Sequence, residues 1–534
     1  MADRPLANST STRSVIQAPY GMVATSQPLA AAAGQNILQK GGNAYDAAVA
    51  TAATLCVVEP MMTGIGGDVF ALMYHAKTKQ IEGLNGSGKS PQLATRDYFQ
   101  SKSYDKIPDT GILTVSTPGT VDGWAEILEK YGTMTFKEVL QPAIDYAENG
   151  FPVSEIVSTQ WAMFKDLLLK TKDATETFLV DGEVPQVGEV FYQPNLAKTL
   201  RLIAENGRDA FYKGEIAEKI DQYMKENDGL LRYDDLANHS SVWVNPLHTD
   251  YRGYTVYQLP PNGQGMAVLQ MLNILEGYDV ASLGHNTAEY LHLLIEAKKL
   301  AYADRDQYIA DPDMVTCPVD QLLSKEYAEE RRRLIDLQQA AKQVDPGLDL
   351  STDTIYLTVV DKDRNVVSLI NSICGGFGSG IVAGDTGIIL QNRGKSFSLD
   401  KDHLNSLEPG KRAFHTIIPS IVCKNDRPYF SFGVMGGDMQ PQGQVQVLLN
   451  LLEFGMDVQE AGEAPRFRHN QLTNEVALET GISHQAMIEL NQLGHKLTLE
   501  IDVFGGYQGI RIDPETGMLQ GGSDPRKDGA AIGY

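Results

Sequence analysis

The chain has 534 residues, 42% of them apolar and 21% charged, a globular balance long enough to bury a large core without disulfide or metal staples. Its 68 acidic residues against 45 basic ones give a net charge of −23, which repels phosphate backbones and anionic lipid and excludes nucleic-acid and membrane-surface partners from the expectation. The four cysteines, Cys56, Cys317, Cys374 and Cys423, are far apart and form no C-x-x-C pair, so neither a disulfide framework nor a zinc site is expected.

Residues 1–13 read as a polar leader without the apolar core of a secretory signal, and no apolar run is long enough to span a bilayer. A cytoplasmic location is the expectation. Residues 31–58 follow a helical pattern broken at Gly41-Gly42-Asn43, one helix ending and a second capped by Asn43. A hairpin is expected over 69–74 and 81–84, turning at 77–79. Amphipathic periodicity predicts helices over 120–131, 135–149 and 196–206, Glu and Lys spaced for i,i+4 pairs mark a helix over 287–308, and a solvated, highly charged helix is expected over 324–342. Residues 345–353 read as a polar loop.

At Thr354 the pattern changes. TIYLTVV alternates, DKDRN is a turn and VVSLINSI is a second strand, which together predict a hairpin. A turn centred between Asp363 and Arg364 would set Ile355 opposite Ser372 and Thr354 opposite Ile373. Loop length alone leaves a one-residue slip open. In either register Ser372 lies beside Thr354, a pair of hydroxyls suited to a nucleophile with a supporting hydrogen bond, although strand Thr and Ser residues are mostly structural.

Two patterns in the sequence are decoys. The segment Gly83 to Ser90 fits the phosphate-loop spacing G-x-x-x-x-G-K-S. That loop must open a helix, and Pro91 disfavours the helical conformation at Ser90. The ten histidines, His285, His292, His415 and His469 among them, form no metal-ligand motif, so no metal or cofactor is expected.

A set of motifs, in order along nearly the whole chain, resembles the gamma-glutamyltranspeptidase family. These are G-G-N-A-Y-D-A-A from Gly41, V-E-P from Val58, G-I-G-G-D from Gly64, E-A-x-K from Glu296 and A-Y-A-D-R from Ala301. They continue with T-x-Y-x-T-V-V-D-K-D from Thr354, F-G-S-G-I-V-A-G from Phe377, P-S from Pro419, M-G-G from Met435 and S-D-P-R-x-D-G from Ser523. The resemblance implies an α/β (α+β) fold of the N-terminal-nucleophile hydrolase type, a four-layer αββα sandwich made as a precursor. It implies attack by the Thr354 hydroxyl on the Asp353 carbonyl, giving a large subunit 1–353 and a small subunit 354–534 that form one intertwined domain. The freed α-amine of Thr354, with a pKa near 8, would serve as general base, so no catalytic histidine is required. Ser372 would support the nucleophile, and the Gly436 and Gly437 amides would hold the oxyanion.

Donor-binding positions depart from the family pattern. The usual carboxylate-gripping arginine falls at or near Ser87, and a donor-holding asparagine at Cys374. Family Gln and Asp positions carry Arg393 and Ser396, and a Ser-Ser pair becomes His415 and Thr416. Arg393 offers a bidentate carboxylate grip where the partner for an α-ammonium is lost. The segments from Gln391 and Pro409 resemble the cephalosporin-acylase-like and oxamate amidohydrolase subgroup. The short stretch between Phe397 and Pro409 implies an open site that favours water over amine acceptors.

The expected activity is therefore hydrolysis of a small-molecule amide, a gamma-glutamyl or related carboxylate-bearing donor such as glutathione or oxamate, by an αβ heterodimer, a dimer of such units being compatible. The competing readings are a non-catalytic binding subunit and a phosphate-loop nucleotide hydrolase.

Overall fold

Two seven-stranded sheets stack face to face, and every strand pair within them is antiparallel. The computed structural model describes residues 11–342 and 354–534. One sheet runs Ala530–Gly533, Met22–Thr25, Ile355–Val360, Val366–Ser372, Asp68–His75, Gln80–Gly86 and Val242–Val244. The other runs Ile16–Ala18, Leu519–Ser523, Tyr507–Ile512, Arg427–Val434, Ser420–Lys424, Tyr254–Gln258 and Leu247–Tyr251.

Burial on both faces explains why the central strands are largely apolar. In Ile355–Val360, the odd positions Ile355, Leu357 and Val359 join a core shared with the helices Pro28–Gln39, Ala44–Val58 and Phe136–Asn149. Tyr356 and Val360 instead face Ile417, Ile421, Met435 and Ile510 between the sheets. Beyond the second sheet, Gly265–Leu275, Ala288–Tyr308 and Met439–Leu452 close a third core. The order helix, sheet, sheet, helix is the expected four-layer αββα sandwich. A few hydroxyls cross the inter-sheet core in pairs, Thr358 Oγ1 with Ser431 Oγ at 2.6 Å and Tyr356 Oη with Ser368 Oγ at 2.7 Å, so they are buried without loss of a partner.

Both sheets interleave strands from either side of residue 354. Separating the two segments would dismantle both sheets.

The Asn43 break is as expected: Asn43 accepts from the Tyr45 and Asp46 amides while Asp46 reaches back to the Asn43 N–H, a capping box that starts Ala44–Val58. That helix is buried on every side. The charged 324–342 segment is helical only over Lys325–Arg332 and continues as turns. In Ala288–Tyr308, the charges are inside: Glu296, Lys298 and Lys299 are buried, and Lys299 pairs with Glu296 at i,i+3 spacing, 2.8 Å apart. The sequence pattern predicts a helix over 442–454; the helix starts earlier, at Met439, and ends at Leu452. No helix opens at Ser90; Lys89 bridges Arg412 instead, which removes the phosphate-loop reading. Among the described residues, no helix is long and apolar enough to cross a membrane.

The hairpin register is one residue off the centred turn. Val360 pairs with Val366 and Ile355 with Asn371, so the loop centres on Asp363. Asp361 causes this. Its carboxylate accepts the Asp363 and Asn365 amides at 3.0 and 2.9 Å, and Arg364 takes the left-handed φ of 69° that closes a three-residue loop. The slip matters because each residue of shift exchanges the two faces.

Candidate active site

With this register, Thr354 comes to lie across from Ser372, and Ser372 pairs in turn with Asp68 on the next strand. The three residues form a row at one end of the central strands, on the face that Tyr356 and Ile370 turn toward the other sheet. Thr354 Oγ1 donates to Ser372 Oγ at 3.2 Å, and Thr354 is 2% exposed. Asp353 lies outside the described residues.

Ser372 Oγ also accepts the Cys374 amide at 2.9 Å and approaches Arg393 Nη2 at 3.5 Å. Cys374 is buried with φ of 78° and contributes its backbone to this contact. Arg393, on the short turn Arg393–Ser396, is wholly buried and donates through Nη1 to Thr416 Oγ1 at 3.1 Å. Among the described residues no carboxylate lies within ion-pair distance of this guanidinium, and its Nε has no acceptor. A buried charge in that state is costly unless an anion joins it.

His415 Nε2 meets Asp68 Oδ2 at 3.0 Å. Burial, with the Arg393 charge beside it, pushes the imidazole down to about 4 despite Asp68, so His415 is neutral at neutral pH. Asp68 Oδ1 accepts the Gly88 amide and Gln391 Nε2 at 3.0 and 2.9 Å. Ser87 sits behind His415: its hydroxyl bonds Asn85 Oδ1 at 2.7 Å and Asn262 Nδ2 at 3.2 Å, and the Asn262 carbonyl accepts the His415 amide. Ser396 is buried, and among the described residues its hydroxyl has no partner.

The glycine pair lies on the opposing sheet. Gly436 and Gly437 follow the strand Arg427–Val434 and precede the helix Met439–Leu452, with φ of 107° and 56° that a side chain would strain. Among the described residues, neither glycine N–H donates to a backbone acceptor. The turn is fixed from behind. Arg305 Nη1 donates to Asp438 Oδ1 at 2.7 Å, and Gln264 Nε2 donates to the carbonyls of Gly437 and Thr416 at 3.0 and 2.7 Å. Gln264 thereby ties the glycine turn to the residue that accepts from Arg393.

Thr354 and Gly436 line one cavity of about 480 Å³. Its other walls carry Phe164, Gly375, Gly376, Asn392, Lys395, Arg468 and Lys527. Phe164 packs so closely on Gly376 that a Cβ there would lie 2.0 Å from the ring. Ser87, Cys374, Arg393, Ser396, His415, Thr416 and Gly437 do not line this cavity; Cys374 and Arg393 connect to Thr354 through Ser372, and Thr416 through Arg393. Asp68, Gln264, Asn392, Lys395 and Lys527 were missed by the sequence reading. Asp68 and Lys527 stand within quoted motifs, but only strand pairing and loop packing bring them here. The 397–409 stretch lies elsewhere, packing Phe397 and Leu407 against Phe99 and Ala94.

A hydroxyl at the start of a strand, between two antiparallel sheets with helices outside, defines the class of N-terminal-nucleophile hydrolases. The gamma-glutamyltranspeptidase family model matches residues 30–534. The chain is 43% identical over 520 residues to a glutathione hydrolase-like proenzyme of Bacillus subtilis (strain 168), covering 96% of this chain and 98% of the relative. It is 36% identical over 532 residues to an oxamate amidohydrolase proenzyme of Klebsiella pneumoniae, covering 96% and 98%. The crystal structure of a cephalosporin acylase from Bacillus halodurans superposes with a TM-score of 0.92 at 42% identity, covering 100% of this chain and 99% of that one. The chain belongs to the gamma-glutamyltranspeptidase family and is an amide-cleaving enzyme of that kind.

Proposed function

We propose that Thr354 is both the self-cleavage site and the catalytic nucleophile, and that the mature enzyme hydrolyses amides whose acyl group carries a carboxylate. The observation that carries this reading is the Thr354–Ser372 hydroxyl contact at the floor of a cavity shared with Gly436.

In the precursor, Thr354 Oγ adds to the Asp353 carbonyl carbon and the peptide C–N bond breaks. The nitrogen becomes the Thr354 α-amine and an ester joins the segments. Water then cleaves the ester, leaving the Asp353 carboxylate, the Thr354 hydroxyl and subunits 1–353 and 354–534. These stay together as an αβ unit because both sheets interleave their strands.

In the mature enzyme the α-amine, with a pKa near 8, takes the Oγ proton as Oγ adds to the substrate carbonyl. The Gly436 and Gly437 N–H groups receive the oxyanion. The proton passes to the leaving nitrogen, the C–N bond breaks, and water resolves the acyl-enzyme in preference to an amine. Arg393 supplies the positive charge for the donor carboxylate, with Ser396, Thr416, His415, Cys374 and Ser87 shaping the surrounding layer. His415, neutral and held by Asp68, offers no counter-ion for an α-ammonium. Among the relatives, the oxamate amidohydrolase proenzyme has a name that fits this donor class.

The test is release of amine from a panel of glutaryl, gamma-glutamyl and oxamate amides. Wild-type enzyme turns over a carboxylate-bearing donor and Thr354→Ala turns over none. Turnover retained by Thr354→Ala would overturn the assignment.

A further inference from the structure

On a chain of net charge −23, the cavity beside Thr354 has the opposite sign. Lys170, Lys395, Arg468 and Lys527 line it, against Asp109 and Asp502. Two of these charges are already matched: Arg468 pairs with Glu500 at 2.9 Å, and Asp109 with Lys106 at 3.1 Å. Among the described residues, Lys527 has no carboxylate within ion-pair distance. The acids near it hold other partners, and Glu59, on which the Lys527 charge acts, lies beyond ion-pair distance. The Asp524 carboxylate is held by Arg466 and Arg526, Asp528 accepts from Ser154 and the Val157 amide, and Glu59 accepts from Ser26.

Lys527 is half-buried and its stem is positioned by packing. A Cβ on Gly506 would meet Lys527 Cγ at 2.7 Å and Cε at 3.1 Å, beside the Met435 methyl. Gly506 in turn accepts the Met435 amide, one residue before Gly436. The ammonium is therefore carried on the glycine-turn side of the cavity, whereas Arg393 lies on the Ser372 side. A substrate that places its acyl carboxylate toward Arg393 and its carbonyl oxygen toward the glycine turn directs its amine portion along the cavity wall that Lys527 shares.

We propose that Lys527 binds a carboxylate on the amine portion of the substrate, so that the enzyme selects amides with an acidic group on both sides of the scissile bond. This rests on the amide-cleaving reading above.

The test uses two glutaryl amides differing only in the leaving amine, 4-nitroaniline and 3-carboxy-4-nitroaniline. The ratio of kcat/KM, carboxylated over plain, should be about five- to tenfold in the wild type, fall toward one in Lys527→Met, recover in Lys527→Arg and shrink in 1 M salt. Binding of the two free amines to the mature enzyme without an acyl donor, by calorimetry, gives a readout without turnover. A carboxylate preference in that binding, lost in Lys527→Met, supports the subsite. If neither amide is turned over while this preference persists, the amide reading fails and the subsite stands. An undiminished ratio in Lys527→Met, or equal binding of the two amines, overturns the subsite.

Discussion

The hydroxyls of Thr354 and Ser372 lie 3.2 Å apart, across from one another at the end of adjacent antiparallel strands. Three donors converge on Ser372 Oγ: the Thr354 hydroxyl, the Cys374 amide and Arg393. Ser372 therefore fixes the Thr354 rotamer and links it to a buried positive charge. Ser372→Ala should slow both self-cleavage and turnover by about 10- to 100-fold, with Ser372→Thr retaining most of each. Precursor decay on gels and steady-state kcat measure the two effects separately. Wild-type rates in Ser372→Ala would reduce the contact to packing.

Gly436 has φ of 107°, and a Cβ there would meet the Gly505 Cα at 3.3 Å. Gly436→Ala forces the turn to shift or holds it strained, at a cost of about 1–3 kcal/mol. Misplacing one oxyanion donor lowers kcat by about 100-fold. The prediction is a large loss in kcat with little change in KM, checked by steady-state kinetics on a folded variant.

Arg393 is a buried guanidinium without a carboxylate partner among the described residues. Arg393→Met should lower kcat/KM for carboxylate-bearing donors by about 30- to 1000-fold, and by much less for the matched donor with an uncharged acyl group. Arg393→Lys should restore little, because an ammonium lacks the planar fork. Equal losses for both donors would make Arg393 a support for Ser372 alone.

Glu59 gives a test through pH. Burial raises its carboxyl pKa to about 7, even with Lys527 and Ser26 acting to lower it. An acid whose pKa rises on folding binds its proton more tightly in the folded state. The stability it contributes is full below the unfolded value and is lost as pH rises through the folded one. Glu59→Gln mimics the protonated acid. It should match wild type near pH 4.5 and exceed it by about 1–3 kcal/mol at pH 8. Urea unfolding of both proteins at the two pH values measures this; a pH-independent difference would show that Glu59 does not titrate on folding.

Much of this was legible in the sequence where local rules decide. Asn43 after the Gly41-Gly42 break marked a helix start, and the alternation after Thr354 marked the hairpin. The register was not legible, because Asp361 moves the loop centre by capturing amides that loop length alone does not specify. The burial of charges in Ala288–Tyr308 was not legible for a related reason. Glu296, Lys298 and Lys299 carry surface spacing, yet they lie under residues more than a hundred positions away, such as His469 and Gln471. The candidate nucleophile and the glycine turn were visible as motifs, whereas Asp68, Gln264 and Lys527 reach the site only through strand pairing and loop packing between distant segments.

The central claim is that this chain cuts itself before Thr354, and intact mass with N-terminal sequencing of the purified protein tests it most directly. The account predicts two chains, the smaller beginning Thr-Ile-Tyr-Leu, and a single chain for Thr354→Ala. A wild-type chain that stays whole after long incubation at neutral pH would contradict it, because the free amine that serves as the base would never form.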